Sequence, residues 1–129
     1  MVKKKGKIII APGINVWPHE LKTAEALAEV GYTVEFVPRS TVAFEKSADA
    51  LIDGIVWEMK APKAGTPRRV QRTLRDALHQ SCCVVFDSRR MKGLPDKVVE
   101  RELRKWAPEL KSLKRLVFVG RGGIVVDIK

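Results

Sequence analysis

Asp49, Glu58 and Lys60 are the residues whose types and spacing could do chemistry together, and they flank an Asp53-Gly54 pair. Asp-Gly between two apolar runs is a strong hairpin signal, because a type I′ turn needs positive φ at both central residues. Counting outward from that turn pairs Ile52 with Ile55, Leu51 with Val56, Ala50 with Trp57 and Asp49 with Glu58. Directly opposed residues share a face, and the strand period returns Lys60 to the face of Glu58, leaving Ile55, Trp57 and Met59 as the apolar side. Two opposed carboxylates repel unless something positive lies between them. A divalent cation fits, since hard carboxylate oxygens suit Mg²⁺, which keeps its other positions for water and phosphate. The alternative is a surface hairpin whose carboxylates pair with Lys60 and neighbouring lysines.

The elements around this hairpin follow from pattern. A strand over Lys7–Ala11 and a loop to Trp17 lead to a helix that opens at Pro18 and stops at Gly31. Its apolar stripe is Leu21, Ala24, Leu27 and Ala28, and Glu20 falls on the same side, where it can serve backbone N–H groups of the first turn. A strand follows over Thr33–Pro38, then a hydrophilic connection over Arg39–Ser47. Beyond the hairpin, Thr66-Pro67 has cap and first-turn chemistry for a helix running to about Gln80, with Val70, Leu74, Ala77 and Leu78 inward. Arg68, Arg72, Arg75 and His79 recur at helical spacing on another side, a row suited to phosphate oxygens or simply to solvent. Gln80 closes this helix as a cap or surface amide. The strand Cys82–Phe86 is nearly all apolar, so it is expected to be central and parallel. The basic loop Asp87–Gly93 lies at its C-terminal end, where ligands tend to bind in open α/β sheets. Lys63, Arg89 and Arg90 extend the cationic set. Asp96 is expected to cap a third helix to Trp106, and a terminal hairpin spans Leu116–Val119 and Ile124–Ile128 around a glycine-rich turn.

Composition narrows the function. The 129 residues suit one domain, 1–129, with a core of its own. Lys and Arg number 25 against 15 Asp and Glu, a formal charge of +10, which points to a polyanionic partner or to a generic basic domain. Residues 1–60 balance eight basic against eight acidic side chains, whereas 61–129 hold seventeen against seven. Cys82 and Cys83 are adjacent and would point to opposite faces of a strand, which argues against a zinc pair or a disulfide. They read as core thiols of a protein acting in a reducing compartment, the cytoplasm. The Ile8-Ile9-Ile10 run is too short for a signal sequence or a membrane span. No Ser-His-Asp order, nucleotide fingerprint or internal repeat is present.

Asp49 followed by Glu58-Met59-Lys60 resembles the D…ExK signature of the PD-(D/E)XK nuclease superfamily, with Ala48 in place of the usual Pro. The longer series is Pro18-His19-Glu20, the run Ala24–Val34, Trp57–Pro62, Ala77–Ser81 and Val84–Asp87. It is similar to the C-terminal tRNase domains of CdiA-type contact-dependent growth inhibition toxins. The resemblance implies an α/β fold with an αβββαβ core, its mixed sheet flanked by helices and followed by a C-terminal β-hairpin. It implies metal-dependent cleavage of tRNA, with DNA as the competing substrate and a non-catalytic basic module as the alternative class. It also implies that Glu20 joins Asp49 and Glu58 around Mg²⁺ or Mn²⁺, that Lys60 assists the chemistry, that Gln80 lies near the scissile phosphate, and that an immunity protein, here an acidic one, covers the site.

Overall fold

The computed structural model describes residues 4–38 and 48–129, the side chains of Ala48 and Asp49 excepted. The connection expected over Arg39–Ser47 lies outside the described residues. Two compact units divide the chain, one up to Trp57 and one from Glu58 onward.

In the first unit, β1 (Ile8–Ile10) pairs in parallel with β2 (Val34–Pro38), and the crossover between them carries α1 (Pro18–Glu29). Parallel neighbours need such a crossover, and Thr23, Ala24, Ala26 and Leu27 give α1 a buried side of small residues. The helix stops as the sequence requires: Gly31 N–H donates to Ala28 O at 3.1 Å, and Gly31 sits at φ 106°, a conformation open to glycine. β3 (Ala48–Ile52) then runs antiparallel to β2, and Asp49 pairs with Val37 through its backbone. The hairpin to β4 (Ile55–Lys60) has the expected turn, with φ 51° at Asp53 and 84° at Gly54. Its pairs Ile52↔Ile55, Leu51↔Val56 and Ala50↔Trp57 are those the count from Asp53-Gly54 requires. Asp53 has a second task, since its Oδ1 accepts from Thr33 N at 3.3 Å. The apolar side expected of β4 is only partly buried: Trp57 is 3% exposed, Met59 is half-buried, and Ile55, beside the turn, is 50% exposed.

β4 carries the chain onward. Its last three residues belong to the second unit, where Glu58, Met59 and Lys60 pair in parallel with Val84, Val85 and Phe86 of β5 (Cys83–Asp87). β5 is also parallel to β6 (Arg115–Val119), and β6 is antiparallel to β7 (Val125–Asp127). Hydrogen-bonded neighbours thus follow chain order through a seven-stranded mixed sheet, and the three α-helices of the described residues make this an α/β fold. Every residue of β5 is buried, as its apolar run demands of a central parallel strand.

Two helices pack on the second unit's strands. α2 (Pro67–Ala77) opens with Thr66, whose Oγ1 accepts from Arg69 N at 3.2 Å, and α3 spans Asp96–Trp106. Val70, Leu74 and Ala77 meet Val99 and Leu103 over Val84, Phe86, Leu116 and Phe118 in one apolar cluster. Three expectations need correction. α2 ends at Ala77, and residues 78–80 form a turn, because Gln80 N–H reaches back three residues to Ala77 O at 2.9 Å. Asp96 does not cap α3: its carboxylate takes Ser88 Oγ at 2.7 Å, Arg121 N at 2.7 Å and an Arg121 guanidinium nitrogen at 2.6 Å. Cys82 is exposed just ahead of the strand, and Cys83 alone is a core thiol. Burial pushes the Cys83 thiol above its ordinary 9.0, the Cys82 sulfur at 3.9 Å adds to this, and Arg115 opposes it.

Candidate functional site

The second unit's concave surface lies where β4 gives way to the 61–66 connection and α2. Lys60, Ala61, Pro62, Arg69, Thr73 and Asp76 line a cavity of about 230 Å³. Lys60 is there because it ends β4, and Arg69, Thr73 and Asp76 share a helix face because they stand four and three residues apart. Helical spacing could have signalled Arg69 and Thr73 in the sequence, but attention to the row beginning at Arg68 passes over a face one residue, about 100°, further round. Among the described residues, Lys60, Arg69 and Asp76 make no side-chain ion pair or hydrogen bond with the protein, although all three line one small cavity. Thr73 is a mostly buried residue whose hydroxyl opens on the cavity and makes no hydrogen bond among the described residues.

The arginine row is real. Arg68, Arg72 and Arg75 are exposed and, with Gln71, line a second depression of about 220 Å³ on α2. The Gln71 amide oxygen, in the orientation that satisfies its neighbours, accepts from Nε and NH2 of Arg75 at 3.2 Å each and so steadies that guanidinium. Lys63, His79 and Gln80 are exposed and line neither depression.

Arg89 and Arg90 are used inside the fold. Asp87 is 3% exposed, and Arg89 grips its carboxylate with NH2 to Oδ2 at 2.8 Å, Nε to Oδ1 at 3.1 Å and its own backbone N–H to Oδ1 at 2.9 Å. Arg90 donates to Ala61 O at 3.1 Å, which ties the 88–93 loop to the connection after β4. Gly65 brings the same two segments together: a Cβ there would stand 1.7 Å from Lys92 O, so a side chain is excluded unless backbone moves.

The carboxylates expected around a metal are located one by one. Glu58 is half-buried on β4, its pair on β5 being Val84. In the first unit, Glu20 is half-buried in the opening turn of α1, where Oε1 accepts from Trp17 N at 3.3 Å, the local use its position allows. The side chain of Asp49 lies outside the described residues. Among the described residues no group of three His, Cys, Asp or Glu side chains is arranged to hold a metal ion, and no helix is long and apolar enough to cross a membrane.

Comparison with the curated proteins gives no match. Among solved structures, the fold resembles that of a CdiA-CT/CdiI toxin and immunity complex from Burkholderia pseudomallei, at 18% identity and a TM-score of 0.71, over 96% of this chain and 99% of that chain. The profile of the contact-dependent growth inhibition CdiA C-terminal domain matches residues 46–125, from the edge of β3 to the start of β7. The chain belongs to the contact-dependent growth inhibition CdiA C-terminal domain family.

Proposed function

We propose that this toxin domain is a metal-dependent endonuclease of the PD-(D/E)XK type that hydrolyses phosphodiester bonds in RNA, with tRNA as its substrate. The observation that carries the reading is the cavity at the end of β4, where the Lys60 ammonium of a Glu-x-Lys pair shares a wall with the Arg69 guanidinium, beside the arginine row of α2. A lysine and an arginine with no partner among the described residues, around a concave site, fit a phosphate diester, and Arg68, Arg72 and Arg75 fit the flanking backbone.

Asp49 and Glu58, with Glu20 directly or through water, are the residues proposed to hold Mg²⁺ or Mn²⁺. Their hard oxygen donors fit such a cation, and the turn from which their pairing is counted has the required φ values and first three pairs. Bound there, the cation supplies an activated water and charge neutralisation at the phosphate. Lys60 orients the nucleophile and offsets charge that develops on the phosphate oxygens. Gln80 is proposed as a polar neighbour of the scissile phosphate.

Family membership supports delivery into a target cell and action in its cytoplasm. The solved CdiA-CT/CdiI complex supports a protein partner for this chain too. Residues 61–129 hold seventeen basic and seven acidic side chains, so an immunity protein that covers them should be acidic and should associate more slowly as salt rises. Purified protein incubated with tRNA, bulk RNA and plasmid, in Mg²⁺ or EDTA, tests the reading. Cleavage of tRNA in Mg²⁺ alone supports it, preferential cutting of plasmid moves the substrate to DNA, and no cleavage leaves a binding module.

A further inference from the structure

We propose that the cavity lined by Lys60, Arg69, Thr73 and Asp76 is a ribose-phosphate subsite in which Asp76 accepts a hydrogen bond from the ribose 2′-hydroxyl, so that this carboxylate makes the domain selective for RNA. The inference rests on the nucleic-acid reading of the site above and names the chemistry that chooses between its two substrates.

The lining is a set of unmet demands. Lys60 and Arg69 present cations with no carboxylate partner among the described residues, so the cavity calls for an anion. Thr73 adds a hydroxyl on the wall that solvent can reach and that makes no hydrogen bond among the described residues. Asp76 is the discriminating member. A carboxylate is an acceptor only, so it repels a bare phosphate or an acidic peptide and instead requires a donor close to the anion. A ribonucleotide backbone offers both within one unit: phosphate oxygens for Lys60 and Arg69, and a 2′-OH for Asp76. DNA offers the first without the second.

Size and lining separate sugar from base. At about 230 Å³ the cavity has room for roughly seven waters at ~30 Å³ each, the scale of a sugar-phosphate unit. It lies below the ~300 Å³ at which pockets for larger ligands begin. A base subsite would present an aromatic face for stacking, and the apolar lining here is Ala61 and Pro62. The subsite therefore reads backbone, without preference for base identity.

Equilibrium binding in EDTA, where cleavage is suppressed, tests this with one sequence synthesised as RNA, as 2′-fluoro RNA and as DNA. The 2′-fluoro strand keeps the ribose pucker and lacks the donor. The wild type should bind RNA about fivefold to tenfold more tightly than 2′-fluoro RNA, the scale of one ordinary hydrogen bond, since Asp76 is exposed to solvent. Asp76→Ala removes a negative charge from a basic surface and should raise affinity for all three strands, so the ratio is the readout, and it should fall to about one. Asp76→Asn keeps an acceptor oxygen and should retain part of the ratio. Thr73→Val should weaken binding of all three strands alike, about threefold, while melting temperature holds or rises, because the lost hydroxyl makes no hydrogen bond among the described residues. An RNA to 2′-fluoro ratio near one in the wild type, or a ratio unchanged in Asp76→Ala, overturns the proposal. Cleavage in Mg²⁺ is scored separately: the ratio without cleavage keeps the subsite and removes the nuclease reading, and cleavage without the ratio does the reverse.

Discussion

Replacing Arg89 with Ala separates an arginine that holds the fold from one proposed to hold nucleic acid. The Asp87 side chain is 4% exposed, and the Arg89 guanidinium supplies NH2 at 2.8 Å and Nε at 3.1 and 3.2 Å to its two oxygens. The alanine variant retains the backbone N–H bond at 2.9 Å but removes the guanidinium from the carboxylate. Removing one partner of a buried pair costs about 3–5 kcal/mol, since the other charge stays behind. The Arg89 side chain is 27% exposed, so water can follow it into part of the gap, and the expected loss is roughly 2–3 kcal/mol. Asp87→Asn leaves the charge on the wetter partner and should cost less, about 1–2 kcal/mol. The double variant should be more stable than the two losses added together predict. Urea unfolding of the four proteins at pH 7 measures this. Salt titration of RNA binding gives the second half of the contrast: Arg89→Ala should leave the slope unchanged, whereas Arg72→Ala should lower it by about one unit with stability within about 0.5 kcal/mol of wild type. Wild-type stability in Arg89→Ala together with a flattened salt slope would refute the assignment and return Arg89 to the phosphate-binding set.

Other outcomes follow from the same structure. Asp49→Ala, Glu58→Ala and Lys60→Ala should each abolish cleavage, and either carboxylate variant should hold or gain melting temperature without metal, because one of two like charges is gone. Asp53→Asn should be mild in activity and stability, since Asn also accepts positive φ and keeps an oxygen for Thr33 N, whereas Gly54→Ala at φ 84° should cost about 1 kcal/mol or more by thermal melting. The raised Cys83 pKa means the unfolded chain releases this proton first. The Cys83 contribution to stability should be full below the unfolded value of about 9 and should fall as pH rises above it, a decline that Cys83→Ala reduces in unfolding measured from pH 8 to 10.

The parts of the fold legible in the sequence are those set by local chemistry. Asp53-Gly54 announced its turn and thereby the register of three pairs, Gly31 its helix stop, Thr66-Pro67 its helix start, and the run Cys82–Phe86 a central parallel strand, which starts one residue later at Cys83. What local pattern could not supply was the partner of each charge. Asp96 looked like a cap and instead holds Ser88 and Arg121, the latter 25 residues away in sequence. Arg89 looked like a free cation at a loop and is held by a carboxylate two residues before it, a pairing that depends on Asp87 being buried. The same limit hid the cavity. Arg69 and Thr73 matter because Lys60 from another element faces them across it, and helix spacing alone cannot name that third residue.

The central claim is that this domain harms cells by cutting RNA through the Glu58-x-Lys60 site. The direct measurement is the fraction of intact tRNA in cells after induced expression of the wild type or of Glu58→Ala, with no neighbouring acidic protein supplied. Rapid loss of tRNA and of growth with the wild type, and neither with Glu58→Ala at equal protein level, is the expected result. Equal tolerance of the two proteins, or tRNA loss that persists in Glu58→Ala, would contradict the account.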